Sequence, residues 1–359
     1  MAAAPAAPPR ASEWLFTTRP GAEQDLLEEL YFLDEGCAPR LAGPSLVAAA
    51  RWPRRPGGVT AAPPAFARQG LYVSAIVPAD AGSVARAWAD AISRASREPA
   101  TWAADVWVPD ADASNPWAAA ATTLTQEAAA LVEAGLTPRD RAWADRRAID
   151  ARAAFHDNGV YAQGCFVAEG RVAVGAGWAR DAVSLAPGGR LRVHVPEAAP
   201  SRAAQKLLEA FAWLDRAPEP NDLCVDLGAS PGGWTWVLLE RRANVIAVDP
   251  GALAPSVRGR RGLTHARGDA FKFVPPEPVD WLFCDMAYRP LEVAGLLARW
   301  CRNGWARLLV ANVKLPMKKK AEILLRVRDI LEDGGWQDVR IRQLYNDREE
   351  VTIAAVRIR

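Results

Sequence analysis

Four charged side chains end apolar runs in the second half of the chain: Asp226 in "LCVDLG", Asp249 in "NVIAVD", Asp285 in "DWLFCD" and Lys314 in "RLLVANVK". Short apolar runs separated by helical patterns are the mark of a parallel sheet buried on both faces. Ligands of such sheets bind beyond the carboxyl ends of the strands, so the four charges are expected to meet in one crevice. Lysine is scarce here. Only six of 44 basic residues are lysine, and none precedes Lys206. Arginine serves wherever a fixed positive charge suffices. The remaining lysines are therefore candidates for giving up a proton near neutral pH, which arginine cannot do.

A glycine-rich turn, "DLGASPGGW", follows the first of these acids. Gly228, Gly232 and Gly233 let a ligand approach the backbone, ahead of a helix whose first N–H groups have no partner within it. The spacing is G-x-x-x-G-G, so the dinucleotide fingerprint G-x-G-x-x-G fails. Asp249 lies 23 positions after Asp226, at the end of the second strand, where a carboxylate grips a nucleoside ribose in Rossmann-like folds. With no phosphate to hold, adenosine joined to an amino acid fits best, and S-adenosylmethionine is that ligand. Its candidate contacts are Ser201, Asp226, Gly228, Ser230, Pro231, Gly232, Gly233, Trp234, Asp249, Asp269 in "RGDAF", and Asp285.

The elements that must position these residues follow from the pattern. Strands are predicted at 223–228, 244–249, 280–285 and 307–314, and helices near 201–214, 232–242, 290–303 and 317–333. Ser201 is a plausible N-cap for the first helix. The end of the chain reads as two further strands with a turn at Asn346–Asp347, which add an antiparallel edge. The first half mixes strands and helices as an α+β region does. It includes a short strand and a helix within 13–33, the latter with Leu26, Leu27, Leu30 and Phe32 inward. It also includes strands at 71–80 and 105–112, helices at 82–95 and 118–136, and a hairpin over 159–179 turning at Glu169–Gly170. The fold class is thus α/β: a Rossmann-like domain suited to S-adenosylmethionine, preceded by a smaller α+β region.

Composition narrows the function classes. Net charge is +2, which neither requires nor excludes a nucleic-acid partner. Five dispersed cysteines and three histidines give no zinc-ligand spacing, and no metal is expected. Such cysteines read as reduced core thiols in a cytoplasmic protein. No run of about 20 apolar residues suggests a membrane span. The Pro/Ala-rich start, residues 1–12, is expected to be disordered. Most of the 15 tryptophans, among them Trp102, Trp107, Trp178 and Trp213, sit in apolar contexts and are expected in cores.

The second half resembles the FtsJ-like ribose 2′-O-methyltransferases, and within them the bacterial large-subunit ribosomal-RNA cytidine 2′-O-methyltransferase M family. "APSRAAQKLLEAF", "DLGASPGGW", "GDAFKF", "CDM", "NGW", "NVKLPMKK" and "QLYNDREEVT" carry the likeness, in order, over residues 199–352. "RPGAEQ" and "FARQ" extend it faintly into the first half. Ser230 stands where that family usually has cysteine. The resemblance implies a catalytic Lys–Asp–Lys–Glu tetrad, matched here by Lys206, Asp285, Lys314 and Glu350. Lys314 would be the general base, its pKa lowered by burial and by the Lys206 charge. The resemblance also implies a small α+β domain over 13–75, a THUMP-type RNA-binding domain over 76–190, a linker at 191–200 and the methyltransferase domain over 201–359. The implied partner is large-subunit ribosomal RNA before full assembly, bound by a monomer away from any membrane. Two alternatives stand beside this reading. An RNA base methyltransferase would carry an Asn/Asp-Pro-Pro-aromatic motif where this chain reads "CDMAYRP". A non-catalytic RNA-binding assembly factor would have no need of an intact tetrad.

Overall fold

A computed structural model describes residues 7–55, 58, 60–109, 116–135 and 141–358. The chain divides into two compact units, residues 1–191 and 192–359.

The first unit holds two four-stranded sheets. Strands β1 (Trp14–Thr17), β2 (Arg40–Gly43), β3 (Leu46–Ala49) and β4 (Gln69–Tyr72) pair in the order β2-β3-β1-β4, and helix α1 (Glu23–Leu33) follows β1. After two residues the chain enters the second sheet with β5 (Ala75–Pro78), so the expected strand over 71–80 is broken between sheets. Next come α2 (Ala81–Ala95), β6 (Trp102–Trp107), α3 (Ala118–Glu133), α4 (Arg141–Ala144), α5 (Ala151–His156), β7 (Val160–Ala168) and β8 (Arg171–Trp178). The order is β5-β8-β7-β6, with β6 and β7 parallel. Asp80 caps α2 by accepting from the Ser83 N–H at 2.8 Å. Trp88 and Trp102 are fully buried beneath this sheet, and Leu15, Leu71, Trp107 and Cys165 form one cluster drawn from both sheets.

Two expectations in this unit are corrected. Residues 1–6 lie outside the described residues, but 7–12 are held in place: the Ala7 N–H donates to Leu41, Ser12 donates to the Val73 carbonyl at 2.7 Å, and Pro9 is buried. Phe32 is 53% exposed, because the inward face of α1 is the i, i+4 pair Leu26 and Leu30 and Phe32 lies round the helix from it.

The second unit contains α6 (Ala203–Leu214), β9 (Leu223–Leu227), α7 (Gly233–Glu240), β10 (Asn244–Val248), β11 (Leu263–Ala266), β12 (Val279–Asp285), α8 (Pro290–Arg302), β13 (Ala306–Lys314), α9 (Lys320–Asp333), β14 (Gln337–Arg342) and β15 (Glu350–Val356). The seven strands run β11-β10-β9-β12-β13-β15-β14, parallel except where β15 meets its two neighbours. This is a Rossmann-like methyltransferase sheet. Its order reverses between β9 and β12, and the crevice at such a switch point opens beyond the ends of those two strands. Phe211, Trp234, Trp281 and Phe283 fill one face, while Trp300 and Trp336 are buried, the Trp336 indole donating to Leu297 at 2.9 Å. Among the described residues no helix is long and apolar enough to cross a membrane.

Candidate active site

The strand pairings bring the four tetrad candidates together. Strands β12, β13 and β15 are neighbours, and Lys314 stands directly opposite Glu350 in the register. Because β15 is antiparallel, its first residue lies at the same end of the sheet as the last residues of β12 and β13. Asp285 Oδ1 is 3.4 Å from Lys314 Nζ. Glu350 accepts from Lys206 through Oε1 and from Lys314 through Oε2. Glu350 is buried and Lys314 about one-third exposed, so the pair meets at the boundary between core and solvent.

Charge sets the protonation of this array. Burial alone would lower the Lys314 pKa, but Asp285 and Glu350 outweigh it and hold the ammonium above its ordinary value. Burial likewise pushes Glu350 up, and the Lys206 and Lys314 ammoniums bring it below the usual carboxylate value. The expectation of a lowered Lys314 pKa is therefore corrected. Burial and the Lys206 charge were expected to dominate, but the two carboxylates beside Lys314 outweigh them.

The glycine turn lies at the end of β9. Gly228 has φ +79°, and a Cβ there would lie 2.6 Å from the Met286 side chain, so only glycine fits between the two loops. Asp249 spans the crevice side of the turn, accepting from Ser230 N–H at 3.1 Å and Gly251 N–H at 2.6 Å. These bonds fix the turn and leave further acceptor capacity on the carboxylate. Asp269 accepts from Phe271 N–H at 2.9 Å and shapes the turn after β11. Asp226 is fully buried below the turn, where its Oδ2 accepts from the Thr235 hydroxyl at 2.6 Å. Burial pushes its carboxyl up to about 7, against that hydroxyl's pull.

Ser201 does not cap α6. The N-cap is Arg202, without a side-chain bond. The Ser201 hydroxyl is buried with no hydrogen-bond partner among the described residues and faces Gly233, where a Cβ would lie 2.3 Å from it. Pro231, Gly232 and Gly233 complete the turn into α7. Trp234 turns into the core, its indole donating to the Ala203 carbonyl at 3.0 Å, which leaves only its backbone to the turn. The unpaired Ser201 hydroxyl, the glycine passage and the Asp249 carboxylate suit a ligand with an amino-acid end and a ribose.

Sequence reasoning missed a buried polar layer behind Glu350. Thr352 donates to Asn312 Oδ1 or Asp347 Oδ2, at 2.8 and 2.9 Å, and Asp347 also accepts from Leu344 N–H at 3.0 Å. Glu209 on α6 accepts from Tyr345 and Asn346. Alternating polar residues within β13 and β15 were the available signal.

Residues 199–308 match the FtsJ-like methyltransferase family. The ribosomal RNA large subunit methyltransferase M of Halorhodospira halophila is 39% identical over 276 residues, which is 75% of each chain. That of Laribacter hongkongensis is 47% identical over 182 residues, 48% of this chain and 52% of the relative. Among solved structures, Aeropyrum pernix fibrillarin with bound S-adenosyl-L-methionine is 26% identical, with a TM-score of 0.34 over 44% of this chain and 76% of that one. At 39% identity over three quarters of each chain, this chain belongs to the ribosomal RNA large subunit methyltransferase M family.

Proposed function

We propose that the protein transfers the methyl group of S-adenosylmethionine to a ribose 2′-hydroxyl, that of a cytidine in large-subunit ribosomal RNA. The observation that carries this reading is the array at the strand ends, where Lys314 sits 3.4 Å from Asp285 and shares Glu350 with Lys206. A 2′-hydroxyl is a weak nucleophile until its proton leaves, so the site needs one base and a fixed line of approach. The sulfonium cofactor supplies a methyl group that is already activated.

Lys314 is the base. Glu350, itself braced by Lys206, holds its amine in place, and Asp285 helps to orient it. Asp285 also borders the crevice, where it favours a neighbouring positive sulfonium. Asp249 grips the cofactor ribose and Asp269 lies by the adenine. Ser201, Ser230, Pro231, Gly232, Gly233 and the Trp234 backbone line the methionine portion, with Gly228 and buried Asp226 fixing the turn beneath it.

Residues 13–190 supply most of the RNA affinity, with 76–190 as a THUMP-type domain. The protein acts as a cytoplasmic monomer on RNA not yet fully assembled; its five buried free cysteines suit a reducing compartment. The test is methyl incorporation into RNA carrying 2′-deoxyribose at the target nucleotide. No incorporation is expected, and continued incorporation would mean that a base is modified.

A further inference from the structure

We propose that Glu209, outside the tetrad, is a positioning residue that sets the Lys206–Glu350–Lys314 geometry by clamping the β14–β15 connection onto α6. Glu209 lies three positions after Lys206, so both side chains leave the same face of the helix. Both reach the same segment of chain. Glu209 Oε1 accepts from the Tyr345 N–H at 2.6 Å, and Oε2 accepts from the Asn346 N–H at 3.0 Å and its side-chain amide at 2.6 Å. Lys206 donates to Glu350, a few residues further on. Helix and connection are thus fastened at two points, one on each side of Asp347.

The fastening continues into the sheet. Between the two points Asp347 accepts from Leu344 and Thr352, and the Thr352 hydroxyl lies 2.8 Å from Asn312 on β13, two residues before Lys314. Displacement of the connection would move Glu350, and with it the carboxylate that both lysines share. Glu209 is almost fully buried. A carboxylate is costly to bury, and packing alone would be served better by an apolar side chain. Three charge-assisted bonds to one loop offset that cost and, being directional, fix the loop's position. The backbone donors give no handle in the sequence, where "YND" reads as an ordinary turn.

The inference rests on the reading of Lys206, Asp285, Lys314 and Glu350 as the reacting array. The experiment is a double-mutant cycle in the full-length protein, with steady-state methyl transfer to ribosomal RNA as readout. Glu209→Gln keeps size but replaces one acceptor oxygen with a donor. It should lower kcat by roughly 10–100-fold, the scale of a small misplacement of reacting groups. The KM for RNA and the affinity for S-adenosylmethionine should stay within about twofold, since Glu209 touches neither. In a Lys206→Ala background the same change should cost less, under about threefold, because the Lys206–Glu350 part of that geometry is already lost. An equal loss in both backgrounds would overturn the positioning role, as would an unchanged kcat in Glu209→Gln. If Lys206→Ala alone left kcat intact, the tetrad reading would fail first, which is a separate result. Should Glu209→Gln not fold, Asn346→Ala, which removes one donor from the other side, enters the same cycle. A kcat unchanged there overturns the proposal.

Discussion

Lys206 and Lys314 share one carboxylate: each ammonium donates to a different oxygen of Glu350, and Lys314 alone also reaches Asp285, at 3.4 Å. The two lysines are therefore not equivalent. Lys314 is paired to two carboxylates and partly open to solvent, which is the basis for proposing it as the base. Lys206 sits deeper and braces the shared carboxylate from helix α6.

The raised Lys314 pKa gives the first prediction. Near neutral pH the free site holds an ammonium, and only the small deprotonated fraction can accept the ribose proton. That fraction grows about tenfold per pH unit below the pKa. The logarithm of kcat/KM should therefore rise with a slope near one between pH 7 and 9. Lys314→Arg keeps the charge but cannot deprotonate. It should lower the rate by roughly 10²–10⁴-fold and flatten the profile. A wild-type profile flat over that range, or an arginine variant of near-normal rate, removes Lys314 as the base.

Asp249 carries the second. Its carboxylate fixes Ser230 and Gly251, so the group proposed to grip the cofactor ribose also holds the turn. Asp249→Ala should weaken S-adenosylmethionine binding by about 1.5–3 kcal/mol, the scale of a lost hydrogen bond to a charged group. Titration calorimetry with unchanged affinity would sink the ribose assignment.

The parts of the site legible in the sequence were those whose position follows from strand ends. Apolar runs locate the strands, the acid or lysine that stops each run marks the crevice, and lysine scarcity makes six candidates, among which the family resemblance picks Lys206 and Lys314. What escaped depends on partners distant in sequence. Ser201 looked like a cap because serine before a helix usually is one, but α6 starts two residues later and the hydroxyl turns toward Gly233. The turn at Asn346–Asp347 joins β14 and β15 as expected, but nothing local showed that Asp347 is buried against Thr352 and Leu344. The short half-polar β11 lacked an apolar run and was not predicted at all.

The third prediction concerns division of labour. Residues 192–359 have their own seven-stranded sheet and core, and the cofactor candidates all lie within them. A fragment of that span should bind S-adenosylmethionine with nearly the affinity of the whole chain, yet bind ribosomal RNA at least about tenfold more weakly. Its affinity should also vary less steeply with salt, since fewer phosphates are contacted. A fragment that methylates RNA as well as the full chain would show that residues 13–190 have another purpose.

Burial of Asp347 gives the last. Its carboxyl is pushed up to about 8, mainly by burial and further by Glu350, while the Leu344 N–H, the Thr352 hydroxyl and Lys206 act in the opposite direction. In the unfolded chain the same group titrates near 3.9. Between those two values the folded state binds the proton more tightly, so stability falls as pH rises from about 4 to about 8. Asp226, raised to about 7, contributes with the same sign over a narrower window. Asp347→Asn cannot ionise, and its carbonyl oxygen can still accept from Leu344 and Thr352. Between pH 5 and pH 8 the loss of unfolding free energy should therefore be smaller in the variant by at least about 1 kcal/mol. Urea unfolding at the two pH values, followed by tryptophan fluorescence of the 192–359 unit, measures the difference. Equal losses in variant and wild type would mean that Asp347 is ionised in the fold at both pH values, and the polar layer behind Glu350 would then carry a negative charge facing the tetrad.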